Sequence, residues 1–127
     1  MTTKVWGTPD DSIFLSIKKF IGIDEEAKAF DPEILSDINT ILFTLQQIGI
    51  GGSDAFVVTS EQETWRDLIG DSKNFEAIKT YIALKTKMLF DPSSSSFVMT
   101  SIENQIHELE WRLYFQAEFG PDTKKIS

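Results

Sequence analysis

The sequence predicts an all-α protein, a small bundle of four main helices plus a short helix, with an extended loop segment between the second helix and the short helix. Apolar residues recur at intervals of three and four in four stretches, which is the spacing of one helix face. Glycine, proline or clusters of serine and aspartate bound these stretches, as expected for helix ends. The 127 residues are expected to form a single domain, with residues 1–10 and 120–127 as flexible termini.

The composition excludes several classes of site. The chain has no cysteine, so disulfides, thiolate zinc sites and cysteine nucleophiles are ruled out. No apolar run approaches the length of a membrane span, and no signal peptide is visible. The net charge of −8 is uneven, because residues 23–60 hold seven carboxylates and one lysine. This excess either keeps the protein soluble or forms a surface that repels nucleic acid or meets a basic partner.

The first helix is predicted over Ser12–Ile21, with Asp10 or Asp11 as its N-cap and Gly22 as its stop. Its apolar residues fall on one face at helical spacing. Lys18 lies near its C-terminal end, where the helix dipole favours a cation.

The second helix gives the clearest pattern. Asp31 is its predicted N-cap, Pro32 its first helical residue and Gly49 its stop. The intervening apolar residues form one unbroken stripe. They are Ile34, Leu35, Ile38, Ile41, Leu42, Leu45 and Ile48.

The segment Ile50–Thr59 is predicted to be a glycine turn followed by extended chain, because its Phe-Val-Val run favours that conformation. Its glycines do not form a nucleotide-binding loop, since a helix precedes them where that fingerprint requires a strand. Ser60 and Glu63 have the spacing of a capping box, which predicts a short helix that ends at Gly70.

The last two helices are predicted over Phe75–Phe90 and Phe97–Phe119, the first of them with Lys79, Lys85 and Lys87 in solvent. Between them, Asp91-Pro92 stops one helix, and one of the serines 94–96 caps the next. The serine run is therefore a hairpin between antiparallel helices. It lacks the glycines and lysine of a phosphate-binding loop.

We find no pattern that carries a reaction. His107 is the single histidine, and with Glu103 one turn away it gives only two candidate metal ligands. The consecutive carboxylates Asp24, Glu25 and Glu26 share one polar environment, which does not separate their pKa values for acid–base work. We therefore expect no catalytic residue, metal or cofactor.

Aromatic residues are more numerous than the narrow apolar stripes require. Four of them crowd the second half of the last helix, namely Trp111, Tyr114, Phe115 and Phe119. They are either part of the core or anchors of a protein–protein interface, since aromatic side chains often supply binding hot spots.

Several motifs together resemble those of head–tail connector (adaptor) proteins of tailed double-stranded-DNA phages and prophages. The order is SIKKFIGID, FDPEILSDINTILFTLQQIGIG, AFVV, TWRDLIGD, NFEAIKTYIALKTKMLFDPSSSSFVM and QIHELEWRLY, and it covers residues 12–115. The specificity lies in the ensemble of L-x-Q-x-G, W-x-D-L-I-G, Y-I-x-L-K and I-x-E-L-E-W-R-L. No single motif would suffice.

The resemblance implies a virion structural protein at the head–tail interface, assembled in the cytoplasm of the bacterial host. Copies of such a protein form a ring, twelve-fold in the virion, beneath the portal protein. The ring extends the DNA channel and docks a stopper or tail-completion protein, and genomic DNA passes through it without specific binding. The resemblance implies neither enzymatic activity nor contact with a membrane.

Three groups of residues are the predicted contact sites under this interpretation. The first is an acidic surface facing the channel or a partner, comprising Asp24, Glu25, Glu26, Asp31, Glu33 and Asp37. The second is an inter-subunit loop with Gly51, Gly52, Asp54 and Phe56. The third contacts the portal or a neighbouring subunit through Trp111, Tyr114, Phe115, Phe119, Lys124 and Lys125. In this family the C-terminal segment commonly reaches toward the portal, which assigns that role to Phe119–Ser127.

An alternative interpretation is an acidic helical protein that inhibits a basic enzyme, such as an immunity protein or a DNA mimic. A small uncharacterised enzyme is a third class, which the lack of catalytic patterns disfavours. A connector should form rings or bind a portal, whereas an inhibitor should stay monomeric or dimeric.

Overall fold

The computed structural model describes residues 7–49, 56–70, 75–92 and 95–119, the side chains of 116–119 excepted. This part of the chain forms five helices and no β-strand, so the all-α prediction is confirmed. An isolated antiparallel bridge joins Ser12 and Thr64. The helices are α1 (Ile13–Phe20), α2 (Asp31–Gln47), α3 (Trp65–Ile69), α4 (Phe75–Phe90) and α5 (Ser96–Phe119).

Helix α4 lies at the centre of the bundle. Its buried residues point in nearly every direction around the helix axis and include Ile78, Lys79, Tyr81, Ile82, Ala83, Leu84 and Thr86. A helix that is buried all round must have neighbours on several sides. Here α2, α5 and α1 pack against it.

Helices α2 and α5 lie on opposite flanks of α4. Phe30, at the start of α2, packs edge-on against Phe90 of α4 with ring centroids 5.4 Å apart. On the other flank, the hydroxyl of Tyr81 donates to Glu110 of α5 at 2.8 Å. Phe90 and Tyr81 are nine residues apart, about two and a half helical turns, so they point in opposite directions.

Trp65 joins the N-terminal segment to the bundle. Its fully buried indole donates to Ser16 Oγ at 3.1 Å, and its ring meets the edge of Phe75. Gly7 is packed beside the same indole, where a Cβ atom would lie 3.1 Å from the ring nitrogen. Only a glycine therefore fits at this point without displacing a neighbour.

Gly7–Asp10, part of the predicted flexible terminus, is attached to the bundle by hydrogen bonds and an ion pair. The carbonyl of Gly7 accepts a hydrogen bond from Lys79 at 2.7 Å, and that of Pro9 accepts from the Arg66 backbone at 2.7 Å. Asp10 pairs with the Arg66 side chain at 2.9 Å. Residues 1–6 and 120–127 lie outside the described part of the chain.

Helices α1 and α2 begin within one or two residues of the predicted positions. The N-cap of α1 is Ser12, not Asp10 or Asp11, since its side chain accepts from the Leu15 amide at 3.1 Å. Helix α2 begins with Asp31 as a helical residue and Phe30 as its cap. The carboxylate of Asp31 has another partner and is not used as a cap.

The predicted capping box at Ser60 and Glu63 is wrong by one turn. The reciprocal pair of hydrogen bonds that opens α3 is formed by Thr64 and Asp67. Glu63 instead closes the preceding turn by accepting from the Ser60 amide.

The α4–α5 hairpin agrees with its prediction. Helix α4 has the predicted bounds, and α5 starts one residue earlier than expected. Ser95 caps α5 by accepting from the Val98 amide at 3.3 Å. The alternative cap Ser94 lies outside the described residues.

Candidate functional site

A buried lysine holds the acidic turn between α1 and α2. Lys18 is fully buried, and its ammonium donates to the carbonyls of Glu25 at 3.1 Å and Ala27 at 2.9 Å and to the carboxylate of Asp31 at 2.9 Å. All three donors of the ammonium group are thereby used, which offsets the cost of removing the charge from water. The face of the Phe14 ring lies 5.2 Å away and adds a cation–π contact. We call this arrangement the Lys18 clasp.

The Lys18 clasp divides the predicted acidic surface into two kinds of residue. Asp24, Glu25 and Glu26 are exposed, as expected for a surface that meets solvent or a partner. Asp31 instead neutralises the buried ammonium, so it adds no free negative charge to that surface.

Two further carboxylates continue the acidic surface along the first turns of α2. Glu33 is exposed and Asp37 is half-buried. Burial raises the pKa of Asp37, and the negative charge of Glu33, one turn away, raises it further. The acidic surface that remains comprises Asp24, Glu25, Glu26, Glu33 and Asp37.

The predicted inter-subunit loop is anchored to its own subunit at its end. The side chain of Asn39 on α2 pairs with the backbone of Val58, accepting from its amide at 2.8 Å and donating to its carbonyl at 2.9 Å. Phe56 packs against the hydrophobic core, which leaves little of it for a neighbour. Gly51, Gly52 and Asp54 lie outside the described residues.

The turn after this anchor is fixed by one carboxylate. Glu63 accepts hydrogen bonds from Thr59 and Ser60. Burial opposes ionisation of Glu63, but the hydrogen bonds outweigh it and hold its pKa below the ordinary value. The chain from Val58 to α3 is thus firmly attached to the bundle.

Helix α5 presents aromatic side chains to solvent. Trp111 is 62% exposed and packs against Phe115 at a centroid distance of 5.6 Å, with Tyr114 beside them and also exposed. The sequence left open whether these aromatic residues belong to the core or to an interface. Their exposure shows that the three described residues are not part of the core. The side chain of Phe119 and residues Lys124 and Lys125 lie outside the described part.

Among the described residues, sequence reasoning missed the exposure of two phenylalanines within helices and misplaced one lysine. Phe43 is 60% exposed on α2 and Phe97 is 82% exposed on α5. Lys79, expected in solvent, is buried, donates to the Gly7 carbonyl and lies 5.1 Å from the centre of the Phe75 ring. The exposure of Phe43 could have been predicted, because this residue lies on the polar face of α2 and outside its apolar stripe.

The described residues contain no cluster of side chains that could hold a metal ion. His107 is exposed, and its Nδ1 lies 3.5 Å from Glu110, not beside Glu103 as its spacing suggested. No group of three or more His, Asp or Glu residues in the described ranges converges on a point that could hold a metal ion. The geometry offers interaction surfaces instead.

Comparison with known proteins agrees with this result. The chain matches the phage connector protein family over residues 13–120, a range that includes nearly all of the helical bundle. No curated protein and no solved structure matches it. Across the described ranges, every helix is too short or too polar to cross a bilayer. The chain therefore belongs to the phage connector protein family, a family of virion structural proteins.

Proposed function

We propose that this chain is a head–tail connector whose copies assemble as a ring beneath the portal protein, extend the DNA channel and dock a stopper or tail-completion protein. The observation that carries the proposal is the match to the connector family across α1 to α5. In this role the protein is not an enzyme. It is assembled in the host cytoplasm and resides at the head–tail interface of the virion.

The exposed aromatic face of α5 supports a role in assembly. Trp111, Tyr114 and Phe115 are not needed to complete the core of their own subunit, yet they offer the large apolar contact area typical of interface anchors. A ring requires each subunit to present two different complementary surfaces. We assign these aromatic residues to contacts with other virion components.

The acidic turn supports a role in the DNA channel. Asp24, Glu25 and Glu26 project from a turn whose backbone is fixed by the Lys18 clasp, so their charges stay in a constant position. Fixed carboxylates on a channel wall repel phosphates and prevent the genome from binding tightly. We assign the turn to that wall, and a ring reconstruction with the turn on the outer rim would refute this assignment.

Two segments complete the proposed contacts. Gly51, Gly52 and Asp54 are assigned to a neighbouring subunit or the channel lumen, with Phe56 as the inner anchor of that loop. The end of the chain, with Lys124 and Lys125, is assigned to the portal, where cationic side chains would meet acidic groups.

The test is negative-stain imaging of the protein mixed with the portal protein of the same phage over a range of salt concentrations. We expect particles in which one ring sits on another. The absence of such particles at every salt concentration, with the chain remaining monomeric or dimeric, would refute the proposal and favour an inhibitor of a basic enzyme.

A further inference from the structure

Two exposed aromatic patches occupy opposite flanks of the subunit. The α2 patch is centred on Phe43, with Thr40 and Gln47 one turn to either side, and the α5 patch consists of Trp111 and Phe115. Because α2 and α5 pack on opposite sides of the central helix α4, the two patches are separated by the whole width of the bundle.

Both patches point directly away from the core. Phe43 is nine residues from the fully buried Ile34, and Phe115 is nine residues from the buried Ile106. Nine residues are about two and a half helical turns, which places each phenylalanine opposite the buried side of its helix. Neither patch can therefore be covered by a small rotation of its own helix.

The two patches also lie at about the same position along the axis of α4. From the Phe30–Phe90 contact, Phe43 is thirteen residues further along α2, or about 20 Å. Tyr81, which contacts Glu110, is nine residues back along α4 from Phe90, or about 13 Å. Because α5 continues away from that level, Trp111 and Phe115 lie about 15 and 21 Å from the level of Phe90.

The α2 patch is electrically neutral in a chain of net charge −8. Residues 38–49, which surround Phe43, contain no charged side chain. Beside the α5 patch, Arg112 is paired with Glu108 at 2.9 Å. Two copies of this acidic chain would repel one another through most surfaces, but an aromatic ring of one copy can pack on the α2 patch of another without meeting a like charge there.

We propose that the occupant of the α5 patch is a second copy of this chain, and that Trp111 and Phe115 of one subunit pack on the α2 patch of the next. This inference rests on the proposed ring, because it specifies which faces of the subunits close it. The two patches differ from one another, lie on opposite flanks and occupy the same position along α4. A contact between the α5 patch of one subunit and the α2 patch of the next is therefore head-to-tail and can repeat around a ring axis.

Cysteine cross-linking tests this arrangement in a chain that has no native cysteine. Thr40→Cys and His107→Cys each place one thiol at the edge of a patch, leave all three aromatic side chains in place and keep the Arg112–Glu108 pair. The variants are treated with a short bismaleimide, free at high concentration and in rings assembled on the portal. Glu61→Cys, an exposed position that belongs to neither patch, is the control.

We expect an equimolar mixture of Thr40→Cys and His107→Cys to give a covalent dimer. Each variant alone should give no more dimer than Glu61→Cys, and the double variant should give a ladder of higher oligomers. Dimers formed by one variant alone would indicate a symmetric, face-to-face contact and overturn the inference.

The outcomes separate this inference from the proposed function. Portal-bound rings that form normally but give no cross-link between positions 40 and 107 would overturn the inference and leave the connector role intact. Failure of the native chain to form any ring with the portal would overturn both.

Discussion

Helices α4 and α5 form one hairpin, yet they relate to the rest of the molecule in different ways. Helix α4 is buried on nearly every side and takes even a lysine and a threonine into the interior. Helix α5 contacts the bundle along a single seam that includes Ile106 and Leu113, and its opposite face carries exposed aromatic residues. The comparison shows that the fold is stabilised around α4, whereas the outer face of α5 remains available to other chains.

The largest expected difference concerns two tryptophans, one in each region. Trp65→Ala removes a fully buried ring that packs on Phe75 and hydrogen-bonds Ser16, so it should lower the free energy of unfolding by about 3–5 kcal/mol. Trp111→Ala removes a ring that is mostly in solvent and should change it by no more than about 0.5 kcal/mol. Urea denaturation followed by circular dichroism measures both. Equal losses would contradict the division between the two regions.

The Lys18 clasp provides the next test. Lys18→Met keeps the apolar stem but leaves Asp31 and two carbonyls without their partner, and we expect a loss of about 3 kcal/mol. Lys19→Met changes the adjacent, exposed lysine and serves as the matched control, with an expected change within about 0.5 kcal/mol. The same denaturation experiment applies. If both variants are equally stable, the buried ammonium does not hold the acidic turn.

A smaller effect of opposite sign is expected at Thr86. Its hydroxyl is fully buried and has no hydrogen-bond partner among the described residues. Thr86→Val keeps the shape and removes the unsatisfied group, so thermal unfolding should show a gain of about 1 kcal/mol. Thr100→Val, on the exposed side of α5, is the control for exchanging threonine with valine in a helix. A loss of stability at Thr86 would show that the hydroxyl has a partner.

The smallest effect is a pH dependence at Asp37. Burial and Glu33 raise the pKa of Asp37 in the folded state, so the ionised form opposes folding above that pKa. Asp37→Asn should therefore be slightly more stable than the native chain at neutral pH. This advantage should shrink as the pH falls toward the ordinary range of a carboxyl group. Denaturation midpoints from pH 7 to pH 4 measure it, with Glu25→Gln as a control for the loss of one negative charge.

The sequence was sufficient to predict the helices because their signals are local. Pro32 and Gly49 mark the limits of α2, and Asp91-Pro92 marks the end of α4, without reference to distant residues. The same local logic failed at Ser60, where two capping patterns follow one another directly and the one at Thr64 opens the helix.

The burial of lysines could not be predicted in this way. Lys18 is buried because the carbonyls of Glu25 and Ala27 and the carboxylate of Asp31 converge on it, and this convergence depends on how α1 and α2 are joined in space. Lys79 is buried because the N-terminal segment crosses it at Gly7. The spacing of apolar residues along one helix contains no information about partners from distant segments.

The candidate surfaces were predicted in part. The exposure of Asp24, Glu25 and Glu26 follows from their polar neighbours, and the aromatic surplus on α5 was visible in the sequence. Their spatial relation to Phe43 was not visible, because it depends on the packing of both outer helices against α4. The role of a surface depends on such relations more than on its composition.

The most direct test of the central claim is the assembly of a Trp111→Ala/Phe115→Ala variant with the portal, measured by analytical ultracentrifugation beside the native chain. We predict that the variant unfolds at nearly the same urea concentration as the native chain but no longer joins the portal as a ring. A variant that joins the portal as completely as the native chain would contradict the claim that this face of α5 serves assembly.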